Sequence, residues 1–180
     1  FFPSSYKRKV KYGQKDAANE ILRNEVLAKL ESAPIVVTYP EALAEKVVSK
    51  QQLDERTVRL HTGDTLQVTS LAKRLRELDF REVDYVYEPG QFAVRGSIVD
   101  VFSYSSEFPF RIDFFGDDID SLRTFEVENQ LSRERIEQIE IVPEMGGVQT
   151  ERISLLKILP NTSIVCAKSL SYVTDCIAHV

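Results

Sequence analysis

Cysteine and histidine are scarce in this 180-residue chain, which contains two of each. Cys166 and Cys176 are too few and too close to the C-terminus for a disulfide framework, which favours a reducing compartment, the cytoplasm. His61 and His179 lie far apart in the sequence, so both are interpreted as ordinary surface or loop residues. No apolar run approaches the roughly 18 residues that cross a membrane, and no membrane association is expected.

Motifs of the common enzyme families are also missing. The sequence has no G-x-x-x-x-G-K-[ST] phosphate loop, no G-x-G-x-x-G, no G-x-S-x-G elbow and no H-E-x-x-H. We therefore expect no catalytic residue and no cofactor in this chain. The acidic cluster at Asp113, Asp117, Asp118 and Asp120 does not follow calcium-loop spacing, so a hairpin turn is the preferred interpretation and no metal site is predicted.

The net charge of −5 argues against broad binding of a nucleic-acid backbone, because such a surface needs a positive field. One local segment still has the composition of a single-strand contact. It places two tyrosines around four cations, Lys7, Arg8, Lys9 and Lys11. The segment is short and isolated, which favours a solvated surface and leaves DNA contact as the alternative function.

Residues 1–60 alternate helix and strand signals. Asp16 is predicted to cap a helix whose buried stripe follows steps of three and four. A strand is predicted at Ile35–Thr38, a helix from Pro40 through Val48, and another strand at Thr57–Leu60. The stripe predicted to be buried consists of Ala18, Ile21, Leu22, Val26 and Leu30.

Residues 61–142 carry the clearest pattern, a helix capped by Thr69 or Ser70 and then hairpin-linked strands. The helix has Leu71, Leu75 and Leu78 on one side. The predicted strands are Val83–Glu88, Gln91–Phe102, Phe110–Phe115 and Ile119–Val127. Residues 143–180 return to a helix, strand, helix pattern at 153–159, 163–166 and from 170 onward. The fold class is therefore α+β, a small antiparallel sheet with a covering helix, inserted between segments of an incomplete α/β domain.

Side chains alternate between the two faces of a strand, and this identifies a candidate binding surface. Phe110, Ile112 and Phe114 are predicted to face the core, whereas Arg111 and Phe115 face the opposite side. The same rule places Arg95 on that opposite face. Arginine and aromatic residues are enriched at binding hot spots.

Alternation alone leaves a second interpretation open. In that interpretation Phe115 packs beneath a loop, and both arginines form surface ion pairs, for instance with Asp113. Gly96 could also bulge its strand and reset the two faces.

Two long runs resemble a known family. They are F-R-E-V-D-Y-V-Y-E-P-G-Q-F-A-V-R-G-S-I-V-D-V-F (residues 80–102) and P-F-R-I-D-F-F-G-D-D-I-D-S-L-R-T-F (residues 109–125). They resemble the UvrB-homology module of the bacterial transcription-repair coupling factors (Mfd), and the resemblance extends to F-P-S-S-Y-K-R and D-A-A-N-E-I-L-R-N-E-V-L nearer the start. It implies that residues 61–142 are a UvrB domain 2-like module. Residues 1–60 and 143–180 would then be 1a-like and 1b-like parts of a RecA-like domain.

In that family, domain 2 recruits UvrA, the damage-recognition ATPase of nucleotide excision repair. The resemblance places the UvrA-contacting positions on Arg95, Arg111 and Phe115. It also implies that the longer protein is an ATP-dependent DNA translocase. Such a protein uses ATP and magnesium in a separate motor, binds RNA polymerase and double-stranded DNA, and masks this face with its own C-terminal region.

UvrB itself is the nearest rival within the superfamily. Its damage-probing hairpin would lie between Tyr6 and Asp16, and that interval is too short here to hold one. The resemblance, together with a start at Phe1 and Phe2, makes us expect a piece of a longer polypeptide that binds UvrA. We also expect substitution of either arginine or of Phe115 by alanine to weaken UvrA binding and leave the melting temperature nearly unchanged.

Overall fold

The computed structural model describes residues 1–6, 16–30, 32, 35–145 and 152–178. They divide into two compact units, Phe1–Glu55 with Met145–Val180, and Arg56–Glu144. In chain order the elements are α1 (Ala17–Ala28), α2 (Pro40–Ala44), β1 (Val47–Val48), α3 (Lys50–Arg56), β2 (Val58–His61), α4 (Val68–Glu77), β3 (Arg81–Glu82), β4 (Gln91–Arg95), β5 (Ile98–Val101), β6 (Phe110–Phe115), β7 (Asp118–Phe125), β8 (Ser132–Ile136), β9 (Gln138–Ile141), β10 (Arg152–Ile153), α5 (Leu155–Ile158) and α6 (Leu170–Ala178).

The unit Arg56–Glu144 is built on a six-stranded sheet in the order β3-β4-β5-β6-β7-β8. All its neighbouring strands are antiparallel except β3 and β4, which form a short parallel pair. A separate antiparallel ladder joins β2 to β9, with Val58 opposite Ile141. The predicted α+β class with a small antiparallel sheet is confirmed.

Helix α4 covers one face of this sheet, as its leucine spacing predicts. Leu71 and Leu75 are buried and pack in one cluster with side chains of the central strands. The predicted cap is wrong: α4 begins at Val68, after Gln67, with no side-chain capping hydrogen bond. The strand residues of this cluster include Phe92, Val99, Val101, Phe110, Ile112, Phe114, Ile119 and Leu122.

The opposite side of the sheet is called the outer face below. Residues 83–90, called the covering loop, lie over part of it, where Val86 packs with Ala93, Phe102 and Phe125. The strand predicted at Val83–Glu88 is therefore wrong, since only Arg81–Glu82 pairs as a strand. The apolar residues of this segment cover the outer face instead of extending the sheet.

The single strand predicted at Gln91–Phe102 is in fact a hairpin. Arg95 pairs with Ile98 across a two-residue turn, and Gly96 at the first turn position has φ of +63°. Glycine adopts this left-handed conformation readily, and its place in the turn fits type II′. The predicted strands at 110–115 and 119–127 are observed as β6 and β7, the second with shifted ends.

In the other unit, Asp16 caps α1 as predicted, by accepting a hydrogen bond from the backbone N–H of Ala18. The buried face of α1 was predicted wrongly. The helix buries Arg23, Asn24 and Leu27, with Glu20 one turn earlier, and leaves Leu22 exposed. The guanidinium of Arg23 lies over the ring of Phe2 and donates to the carbonyl of Pro3, so local polar partners override the apolar periodicity.

Three further predictions in this unit are corrected. Neither 35–38 nor 163–166 is a strand, and the helix that starts at Pro40 ends at Ala44. Val47 and Val48 instead pair with Ile153 and Arg152 as β1 and β10. Helices are present at Leu155–Ile158 and Leu170–Ala178, within the predicted helical segments. Assignment of this unit to a RecA-like domain stays a prediction.

Among the described residues, none of the helices combines the length and apolar character needed to span a bilayer.

Candidate functional site on the outer face of the sheet

Strand register places the charged side chains of the outer face in two neighbouring rows. Asp100 lies opposite Arg111, and Arg111 lies opposite Arg123, across β5, β6 and β7. In the next row Arg95 lies opposite Ile98, which lies opposite Asp113. Because these residues share one side of four adjacent strands, β4 to β7, their side chains can interact directly.

Asp100 is the centre of this cluster. Its side chain is 0% exposed, and it accepts two hydrogen bonds from Arg111, from Nε at 2.8 Å and from Nη2 at 2.9 Å. Arg95 also donates to it through Nη2. The two arginines therefore share one buried carboxylate, which we call the Asp100 clamp. A carboxylate this deeply buried needs such partners, because an unpaired buried charge is strongly destabilising.

Arg111 is held from three sides. Besides the clamp, its Nη1 donates to the carbonyl of Gln130 at 3.1 Å, and its guanidinium lies 4.6 Å from the ring centre of Phe125. Its side chain is 15% exposed. The hydrogen bonds that Arg111 donates to Asp100 raise the pKa of Arg111 above its ordinary value, with burial opposing this shift. The side chain is thus a fixed cation.

Arg95 is more accessible, with 33% of its side chain exposed. Its Nη1 donates to the carbonyl of Asp84 in the covering loop at 3.3 Å, and its guanidinium lies 5.2 Å from the ring centre of Tyr85. Tyr85 and Tyr87 of the same loop are both exposed. The arginine therefore links the sheet to the covering loop and borders a surface with two tyrosine rings.

Phe115 lies at the last position of β6, and 80% of it is exposed. The register shifts between Asp113 and Phe114, but Phe114 remains in the core and Phe115 faces away from it. Gly116, with φ of +65°, follows at the turn into β7. A large ring in this position has no structural explanation among the described residues, and exposed aromatic side chains of this kind are characteristic of contact surfaces.

The three side chains are too far apart to surround a small molecule. Arg111 and Phe115 are four positions apart on one strand, or about 13 Å at the rise of an extended chain. Arg95 lies two strands away from β6, or about 10 Å across the sheet. An anchor ring and two fixed cations spread over such a surface fit the dimensions of a protein-protein contact.

The described residues contain no group of three His, Cys, Asp or Glu side chains placed to hold a metal ion. In the acidic cluster, Asp113 accepts from Arg123 at 2.8 Å and from Ser121 at 3.0 Å, while Asp118 accepts from Thr65 at 2.8 Å. These carboxylates stabilise the β6–β7 hairpin and its neighbours. His61, the last residue of β2, lies on the surface with its Nδ1 3.4 Å from a carboxylate oxygen of Asp64.

Of the residues singled out from the sequence, Arg95 and Arg111 meet at one carboxylate, and Phe115 is exposed on the same face. The ion-pair partner suggested for the arginines, Asp113, is wrong, because both pair with Asp100. Asp100 was missed although it stands between buried valines in V-D-V, a pattern that puts it on the outer face. The candidates Lys7, Arg8, Lys9 and Lys11 lie outside the described residues.

Comparison with known proteins gives a match to one domain family and to several transcription-repair-coupling factors. Residues 58–146 match the family model described as the UvrB interaction domain. The chain is 37% identical over 101 residues to the transcription-repair-coupling factor of Haemophilus influenzae. The aligned residues make up 56% of this chain and 9% of that protein. The factor of Escherichia coli is 35% identical over 109 residues (61% and 10%), and that of Bacillus subtilis 33% over 111 residues (62% and 9%).

The chain thus spans about a tenth of the length of these relatives. The family match nearly coincides with the unit Arg56–Glu144, which contains the whole outer face and the Asp100 clamp. We conclude that the chain carries a UvrB interaction domain at residues 58–146 and is a homologue of the transcription-repair coupling factors.

Proposed function

We propose that the outer face of the sheet docks UvrA, and that the chain thereby contributes to transcription-coupled nucleotide excision repair. The single observation that carries the proposal is the exposure of Phe115 on the same face as two fixed arginines. An aromatic anchor and adjacent guanidinium groups are the residue types on which binding energy concentrates.

The chemistry of the contact follows from the side chains. Phe115 would enter an apolar pocket of UvrA, since burying its exposed ring is favourable by on the order of 2 kcal/mol. Arg95 and Arg111 would donate to carboxylate or carbonyl oxygens at the rim of that pocket. The fixed positions of both guanidinium groups make such donation selective for acceptors in matching places.

The proposal also has a wider form, which concerns the longer protein to which such a domain belongs. There, UvrA recruited by this face would be brought to stalled RNA polymerase by a protein that also moves on double-stranded DNA with ATP and magnesium. Masking of the same face by a C-terminal region would then regulate recruitment.

Binding of purified UvrA to the immobilised chain tests the proposal. We expect Phe115→Ala to weaken binding at least tenfold, because a hot-spot truncation costs about 2 kcal/mol or more. The matched control is Tyr172→Ala, which removes an exposed aromatic ring from the other unit and should leave the affinity within about twofold. Equal affinities of the wild-type chain and Phe115→Ala would exclude this face as the docking surface.

Arg123→Ala serves as the control for the arginines. Arg123 lies directly opposite Arg111 on the same face but pairs with Asp113. If general attraction by positive charge were responsible for binding, Arg123→Ala and Arg95→Ala would weaken it equally. We expect a clear loss only for Arg95→Ala.

A further inference from the structure

We propose that Asp100 is a positioning residue of the docking surface, which holds Arg95 and Arg111 in the geometry that the partner protein reads. The inference rests on the proposed function and adds a residue that makes no contact with the partner. Asp100 is fully buried, so its carboxylate can act on a partner only through the two arginines.

The hydrogen bonds of the clamp leave donors available for a partner. A guanidinium has five N–H groups, of which Arg111 uses three, two on Asp100 and one on Gln130. Arg95 uses two, on Asp100 and on the carbonyl of Asp84. Two N–H groups of Arg111 and three of Arg95 therefore remain without a partner among the described residues. The clamp therefore fixes each arginine by one part of its guanidinium and leaves the other part for docking.

Fixing two arginines before binding increases the binding affinity by a measurable amount. Each arginine has many rotamers in solution, and immobilising one during association costs free energy that a pre-positioned side chain does not lose again. Two such side chains correspond to an affinity difference of about tenfold. Without the carboxylate, both arginines would also repel each other across β5.

Asp100 also has an electrostatic effect on the binding affinity, and this effect is opposite in sign to that of positioning. Asp100 neutralises part of the positive charge, so its removal would strengthen a purely electrostatic attraction to an acidic partner. The geometry favours positioning, because the carboxylate is bidentate on Arg111 and lies below the arginines rather than between them and solvent. The direction of the change in affinity on removing the charge distinguishes the two effects.

Asp100→Asn in the full 180-residue chain tests the inference, with UvrA affinity and urea unfolding measured on the same samples. The substitution preserves side-chain size and removes the charge. Asp113→Asn is the matched control, because Asp113 lies on the same face and holds Arg123 instead of the clamp arginines. We expect about tenfold weaker UvrA binding for Asp100→Asn and a change within about twofold for Asp113→Asn.

Combination with arginine substitutions separates positioning from a structural role. In the Arg95→Ala/Arg111→Ala background, Asp100→Asn should not weaken binding further, since there is no arginine left to position. It should also raise the stability of that background, because it removes an unpaired buried charge. Equal losses of affinity in both backgrounds would show that Asp100 acts through folding alone and would overturn the inference, as would unchanged or tighter binding by Asp100→Asn.

Arg111→Lys provides a second variant for the case that Asp100→Asn does not fold. Lysine retains the charge but cannot form the bidentate pair with Asp100. About tenfold weaker binding by a folded Arg111→Lys supports positioning, and wild-type affinity contradicts it.

Phe115→Ala distinguishes the failure of the two proposals. If Phe115→Ala weakens binding while Asp100→Asn does not, only the positioning inference fails. If Phe115→Ala has no effect, the proposed docking surface itself is wrong.

Discussion

At the scale of single residues, burial separates two arginines that the sequence makes look equivalent. Arg111 and Arg123 lie directly opposite each other on β6 and β7, and each pairs with an aspartate. The partner of Arg111 is fully buried, whereas the pair of Arg123 is partly exposed, with 39% of that arginine accessible. Water screens the second pair and not the first.

This difference predicts unequal stability. Arg111→Ala should lower the free energy of unfolding by about 3 kcal/mol, because it breaks a buried bidentate pair and leaves Asp100 with Arg95 alone. Arg123→Ala should cost less than about 1 kcal/mol. Urea unfolding followed by circular dichroism measures both. Losses of equal size would mean that solvent reaches Asp100 and that the clamp is not buried.

The same reasoning changes an expectation drawn from the sequence, that arginine substitutions would weaken binding without affecting the melting temperature. For Arg111 the structure predicts both effects, so its binding must be compared at temperatures where the variant is folded. Phe115 has no such role in folding, since its ring is exposed. Phe115→Ala is therefore the cleaner probe of docking.

At the scale of elements, the position of the covering loop depends on a close approach between its last residue, Gly90, and the side chain of Tyr104. Gly90 has φ of +84°, and a Cβ added there would lie 2.8 Å from the hydroxyl oxygen of Tyr104 and 3.0 Å from its Cε2. Gly63 has a similar φ of +90°, but nothing lies within 4 Å of the corresponding position. Both glycines adopt a positive φ, but only Gly90 has a neighbouring side chain where a Cβ would lie.

Gly90→Ala and Gly63→Ala therefore form a matched pair. Gly63→Ala should cost about 1 kcal/mol of stability, from the left-handed conformation alone. Gly90→Ala should cost about 1 kcal/mol more, because the ring of Tyr104 must move as well. Thermal unfolding of both variants provides the comparison. If Gly90→Ala were no less stable than Gly63→Ala, the approach of the loop to Tyr104 would be looser than the structure has it.

Local periodicity predicted the elements whose two faces differ. The alternation in β6 separates Phe110, Ile112 and Phe114 from Arg111 and Phe115, and the structure has the same separation. Helix α4 was predicted for the same reason. In both elements one side meets the core and the other meets water, so the pattern of apolar residues determines the orientation.

Prediction failed where tertiary contacts decide. The segment 83–88 has the composition of a strand, but Val86 is buried against Phe125 instead of pairing in the sheet. Asp100 could be placed on the outer face from its V-D-V context, but its partners depend on cross-strand register. That register follows from the turn at Gly96 and Ser97, a Gly-Ser hairpin signal inside the segment predicted as one strand.

At the scale of the whole molecule, the unit Arg56–Glu144 is joined to the rest of the chain at two neighbouring points. The ladder of β2 and β9 places Val58 opposite Ile141, so the two ends of the unit are held side by side. Leu60, Ile139 and Ile141 from this ladder are buried in the cluster beneath α4. The ladder thus belongs to the core of the unit and closes it.

An excised chain of residues 56–144 should therefore fold by itself and bind UvrA within about twofold of the full 180-residue chain. Its urea unfolding should be one cooperative transition, as expected for a small single domain. A shorter excision, residues 64–137, is the control. It lacks β2 and β9 and should lose cooperative unfolding, because three buried core side chains are gone at once. A cooperative transition in the shorter piece would show that the ladder is dispensable, and weak UvrA binding by a folded 56–144 piece would place part of the docking surface outside this unit.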